Sequence, residues 1–275
     1  MTILREAFYL DTSKGTRFCL LRRPMGAPCG AVLHVPPFAE EMNKSRRMVA
    51  LAAERMASQG WAVLQIDLMG CGDSHGDFGE AEWGDWLDDL TLAHSWLRQH
   101  VVAAPPVLWS LRAGSLLLAD WLRRTEALTA GLLMWQPVLN GRQHLTQFLR
   151  LKAANEMLAD ADASAVMSQV RAALAGGQGV EIAGYLLSPG LARGLEAASV
   201  SLPIGYRGPV ALIELRAEAG VGPSPGVSVW GQKQVDAGLA PILRVVQGPA
   251  FWQTQEIELA PDLLACTDEV LGCLR

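Results

Sequence analysis

The sequence predicts an α/β protein with a mainly parallel central sheet, helices on both faces and a helical insertion over the strand ends. Three observations carry this. Short apolar runs of β type alternate with helical runs along the chain. Gly30–Val35 (GAVLHV) is continuously apolar, as a strand covered on both faces requires. Half of the 275 residues are hydrophobic, enough for one large core with a cap.

In chain order, Ala7–Leu10 and Arg17–Arg22 read as an opening hairpin or edge strands. After the Gly30–Val35 strand, Met48, Leu51, Ala52 and Met56 recur at helical spacing, giving a helix from about Lys44 to Gln59 that stops at Gly60. Trp61–Leu68 is the next strand, and Trp83, Trp86, Leu87, Leu90 and Leu97 mark the helix behind it. Val107–Ser110 is a short central strand followed at once by a helix, Ala113–Arg124, and Gly131–Pro137 is another strand. Residues 141–205 are mostly helical in pattern and interrupt the core as a cap; residues 1–140 and 206–275 form the core around it. Val210–Leu215 and Ile242–Val246 resume the sheet, Gly220–Gly226 is a Gly/Pro loop, and Pro261–Leu274 is a closing helix.

Composition narrows the function. A net charge of −5 argues against nucleic acid as a partner, because phosphates demand a basic face. Arg5, Glu6 and Asp11 interrupt the N-terminus too early for a signal-peptide core, and Arg112 and Asp120 break the richest apolar stretch, Val107–Leu122. The expectation is a cytoplasmic chain with no transmembrane segment. Five cysteines without a CxxC pair fit neither a disulfide framework nor a metal site, and no cofactor is called for.

Val107–Asp120 (VLWSLRAGSLLLAD) has the shape of a nucleophile elbow, in which a strand turns sharply into a helix around G-x-S-x-G. Aligned on Gly114, the frame reads Ser110-Leu111-Arg112-Ala113-Gly114, so the nucleophile position holds Arg112. A guanidinium stays protonated and cannot attack a carbonyl. Such sites run nucleophile, acid, histidine along the chain. Here the histidines are His34, His75, His94, His100 and His144, and none follows. The base that would activate a serine is missing from the region where the fold delivers it. Ser110 and Cys71 remain as weak alternative nucleophiles; the bland alternative for Arg112 is a surface side chain on an ordinary strand–helix turn.

Around these gaps the scaffold is recognisable. Gly60–Phe78 contains D-x-x-G-x-G-x-S, filled by Asp67, Gly70, Gly72 and Ser74, residues expected to hold a loop. Leu33–Arg47 lies where an oxyanion loop follows its strand, but Pro36 and Pro37 have no N–H to donate, leaving Phe38 or later residues for that role. The segments PPFAEEMNKSRRM, DLMGCGDSHGDF, LRAG, WQPVLNG and GPAFW, spread over about residues 30 to 252, together resemble the exosortase A system-associated hydrolase 2 family. That resemblance implies an α/β-hydrolase fold and a link to bacterial exopolysaccharide and exosortase sorting loci, with a locus-encoded partner protein among the implied partners.

An arginine beside a helix N-terminus is electrostatically awkward unless an anion sits with it. Glu40, Glu41, Asp73 and Glu214 are the internal candidates; an anionic or glycan-like small molecule is the external one. Phe38, Glu40, Glu41, Cys71 and Arg112 are thus the candidate ligand contacts, with Trp135 and Trp252 as indole faces near strand ends, where Trp109 and Trp230 also fall. The leading reading is a hydrolase-like chain without Ser–His–Asp catalysis, a pseudoenzyme binding a ligand or partner. The alternative is an ester hydrolase or acyl transferase with a non-standard nucleophile.

Overall fold

The computed structural model describes residues 2–157 and 162–274, with residues 155–157 as backbone only. The first hairpin, β1 (Ile3–Thr12) and β2 (Gly15–Pro24), is longer than its apolar centre suggested. It forms one edge of the sheet, with β2 antiparallel to β4 (Trp61–Ile66). From β4 onward every pairing is parallel. It runs through β3 (Gly30–Val35), β5 (Val107–Leu111), β6 (Gly131–Trp135), β9 (Val210–Arg216) and β10 (Ile242–Gln247). The strands β3, β5 and β6 are almost wholly buried, which is why they read as mostly apolar runs rather than alternating ones.

Helices cover both faces. On one face α1 (Glu40–Ser58) packs beside α8 (Pro261–Gly272), and Met48, Ala52 and Met56 meet Leu263 and Val270 in one apolar cluster with Trp109 and Trp135. On the other, α2 (Trp83–His100) and α3 (Gly114–Thr125) supply Trp86, Leu90, Leu116 and Trp121 to a second cluster. Helix α1 begins four residues before the expected Lys44. Glu40 and Glu41 occupy its first turn, where acidic groups complement the helix dipole.

Between β6 and β9 lie α4 (Gly141–Met157), α5 (Ala163–Ala175), a hairpin of β7 (Val180–Ile182) and β8 (Tyr185–Leu187), and α6 (Pro189–Ala197). The hairpin departs from the all-helical expectation. Its Ala183–Gly184 turn has positive φ at both residues, the geometry that suits a two-residue hairpin loop. Residues 158–161 of this insertion lie outside the described residues. A further helix, α7 (Pro225–Asp236), follows the Gly/Pro loop, with Ser224 as its N-cap and Pro225 in its first turn.

Among the described residues, no helix is long and apolar enough to cross a membrane.

Candidate functional site

The three central strands β3, β5 and β6 lie side by side, and each ends in a residue or loop held at positive φ: Ala39 (50°), Arg112 (52°) and Gln136 (41°). Non-glycine residues in that region cost about 1–3 kcal/mol each and concentrate at functional sites. The elbow geometry is therefore present at Arg112 although the serine is not. Gly114 allows it: a Cβ there would lie 2.6 Å from the carbonyl oxygens of both Val35 and Pro36, so only glycine lets α3 start this close to β3.

Arg112 is directed at the first turn of α1. Its Nε and Nη2 both donate to Glu41 Oε1 at 3.0 Å. The guanidinium also lies 5.0 Å from the centroid of the Trp252 ring. Glu41 is thus the counter-anion that the awkward arginine required. Glu214 is engaged elsewhere, its Oε2 accepting from the Ser224 N–H, and Arg112 makes no hydrogen bond to Asp73.

The pair forms the floor of a cleft of about 250 Å³, whose walls include Phe38, Glu40, His144 and Gln253. His144 comes from α4, so the cleft lies between the sheet-side elements and the α4 segment inserted after β6. Burial and the neighbouring Arg112 hold His144 down at about 4, making its ring neutral at pH 7, and neither ring nitrogen has a hydrogen-bond partner. Burial pushes the carboxyls of Glu41 and Glu40 above the ordinary range. For Glu41, Arg112 offsets only part of that rise. Oε2 of each glutamate is likewise buried without a partner. Phe38 packs edge-on against Phe148 at 5.1 Å and against His144 at 5.9 Å.

Phe38, Glu40, Glu41, Arg112 and Trp252 are brought together here, and the remaining sequence candidates are not. Trp135 is fully buried between sheet and α8, with its Nε1 donating to Thr267 Oγ1. It is a core residue because a strand-end indole on the helix-covered face has no route to solvent. Trp109 is equally buried, and Trp230 is tied to the Val200 carbonyl. Ser110 is fully buried and its hydroxyl exchanges a 2.9 Å hydrogen bond with Ser115. Cys71 is buried, and desolvation pushes its thiol up to about 12. No hydrogen bond joins either residue to a histidine, and neither borders the cleft.

The loop residues share one arrangement. The Ser74 hydroxyl donates to the Asp67 carbonyl and accepts from the Phe18 N–H, tying the loop to β2. Gly70 and Gly72 have φ of 71° and 55°, and a Cβ on Gly72 would collide with the Asp67 carboxylate.

Sequence reasoning passed over His144 and Gln253. The available signal for His144 was Asn140, whose side chain accepts from the Gln143 N–H and starts α4 so that His144 falls on its buried stripe with Phe148. Gln253 carried no signal: it follows a strand by several loop residues.

The segments after β9 and β10, where a hydrolase site would take its acid and histidine, border a second cleft of about 450 Å³ containing Arg216, Glu218, Pro249 and Trp252. No histidine lies there. Trp252, in the loop after the last strand, occupies the space beside the elbow residue. Among the described residues, no group of three His, Cys, Asp or Glu side chains is arranged to hold a metal ion.

Solved structures place this scaffold among α/β hydrolases. Est1E of Butyrivibrio proteoclasticus with ferulic acid bound superposes with a TM-score of 0.68 at 15% identity, over 98% of this chain and 99% of that one. A thermostable carboxyl esterase from Bacillus coagulans gives 0.63 at 13% identity over the whole of both chains. A Xanthomonas campestris α/β serine hydrolase without lid gives 0.60 at 15% identity, covering 98% and 94%. No curated protein sequence matches the chain. The family described as serine aminopeptidase, S33, matches residues 26–173, more than half the length. With that match and this sheet, the chain belongs to the S33 serine aminopeptidase family of α/β hydrolases.

Proposed function

We propose that this chain is a hydrolase-fold protein that binds a ligand in the cleft between core and cap rather than cleaving it through a Ser–His–acid triad. One observation carries this reading: the elbow retains its positive φ, but the residue it presents is Arg112, fastened to Glu41 instead of to a histidine. A guanidinium can orient and neutralise but cannot form an acyl-enzyme. The resemblance to exosortase A system-associated hydrolases favours an accessory role in exopolysaccharide production or exosortase-dependent sorting, in a bacterial cytoplasm, alongside a locus-encoded partner. Core and cap act in this reading as one domain, residues 1–140 and 206–275 carrying Arg112 and Glu41, and 141–205 carrying His144.

The second reading, an ester hydrolase or acyl transferase with a non-standard nucleophile, draws on the S33 family match and the esterase-like neighbours. Intact-mass analysis after treatment with a fluorophosphonate probe, run beside a short-chain ester panel, separates the two. No adduct and no turnover are expected. An adduct on one residue, with turnover lost on its mutation, overturns the binding reading and names the nucleophile.

A further inference from the structure

The polar groups around the cleft define what it can hold. Two carboxylate oxygens, Glu40 Oε2 and Glu41 Oε2, are buried without donors, and Glu41 as a residue is 8% exposed. The His144 ring, 6% exposed, is neutral and has both nitrogens unpaired, so it offers one donor and one acceptor. Leaving such groups unpaired is costly, more so for charged ones, so the cleft is poised for a molecule that supplies hydrogen bonds.

The charges favour ions of neither sign. The guanidinium of Arg112 is already matched by Glu41, and Lys44 acts on Glu40, so the two acidic and two basic side chains of the cleft balance and leave no net charge to draw in a carboxylate or phosphate. An incoming ammonium meets Arg112 and Lys44, which border the same cleft. What remains is a neutral molecule rich in hydroxyl groups, which donate to carboxylates and accept from an imidazole N–H. The amides of Gln147 and Gln253, also on the cleft wall, both donate and accept. Phe38 and Phe148 supply an apolar surface for the C–H face of a ring. At about 250 Å³ the half-open space falls below the ~300–1,000 Å³ of drug-sized pockets, a size that suits a single ring.

We infer that the cleft is a subsite for one uncharged sugar ring, with Glu40, Glu41 and His144 taking its hydroxyls and Arg112 holding Glu41 in place. This rests on the non-covalent reading above and replaces the anionic ligand suggested by the arginine alone.

The test uses saturation-transfer NMR and calorimetry on the full chain with methyl glycosides of glucose, galactose, mannose and N-acetylglucosamine. Glucuronate, glucose 6-phosphate and glucosamine serve as charged counterparts. At least one neutral glycoside is expected to bind, with its charged counterparts weaker. Glu40→Gln and His144→Phe should each weaken binding about tenfold or more, the loss for one hydrogen bond to a charged or buried group, with unchanged near-UV circular dichroism as the folding control. Binding of glucuronate or the phosphate in preference to every neutral glycoside overturns the inference, as does no binding across the panel or unchanged affinity in both variants. A fluorophosphonate adduct would instead defeat the non-covalent reading, so the two failures are distinguishable.

Discussion

Replacing Arg112 with alanine should destabilise the protein in a pH-dependent way that identifies Glu41 as its partner. The two side chains are 17% and 10% exposed and share two hydrogen bonds of 3.0 Å. At that separation and an effective dielectric of about 20, the gross attraction is about 5 kcal/mol. Desolvation cancels much of it, since burial still holds the Glu41 carboxyl above its ordinary value. Removing the arginine leaves that carboxylate buried and unpaired, which raises its folded-state pKa further. The unfolded chain releases the proton near the ordinary value of 4.5, and the folded variant holds it to higher pH. Over that interval the unfolded state binds fewer protons, so the variant loses stability as pH rises. A cost of about 1 kcal/mol near pH 4.5, mainly the lost Trp252 contact, should grow to about 3 kcal/mol at pH 8. Urea unfolding of wild type, Arg112→Ala, Glu41→Gln and the double variant at pH 5 and pH 8 measures this, with a coupling energy of about 1–3 kcal/mol expected at pH 8. A penalty independent of pH, or strict additivity in the double variant, would refute the reasoning.

Three further outcomes follow from the same structure. His144 is held at about 4 against an ordinary 6.5, so the unfolded chain takes up its proton first as pH falls. About 3 kcal/mol of stability is therefore lost between pH 6.5 and 4, and His144→Phe should flatten that limb of the stability–pH curve; an unchanged slope would contradict a buried neutral ring. Asp89→Asn should cost about 3–5 kcal/mol in urea unfolding, because Arg17 is left as a buried cation (side chains 2% and 3% exposed), and a cost below about 1 kcal/mol would count against the pair. Alkylation at pH 8 followed by peptide mapping should label Cys29 and Cys273, which are exposed, and leave Cys71 unlabelled, its thiol being buried and raised to about 12; rapid labelling of Cys71 would reopen it as a nucleophile.

The fold was legible in the sequence because each of its signals is local. A strand covered on both faces must be mostly apolar, and Gly30–Val35 and Val107–Leu111 are, His34 and Ser110 excepted. The elbow was legible for the same reason: a strand must turn into a helix where small residues permit close approach, and Gly114 marks that place. The hairpin β7–β8 and helix α7 were not read, since three-residue strands lack a period and a Ser–Pro start inside a Gly/Pro loop looks like more loop.

The sequence by itself determined that Arg112 follows the central strand Val107–Leu111 at the turn into a helix, and that no histidine follows His144. Only the tertiary structure decided what the arginine does. Four acidic residues were open as its partner, and the choice of Glu41 depends on α1 starting at Glu40, one turn earlier than the apolar spacing showed. Likewise Trp135 and Trp252 both follow or end strands, yet one is packed under α8 and the other lies against the guanidinium. His144, more than thirty positions from Arg112 in the chain, reaches the cleft through the packing of α4. Residue type and spacing specify local geometry, whereas distances between segments far apart in sequence are set by how their apolar faces pack.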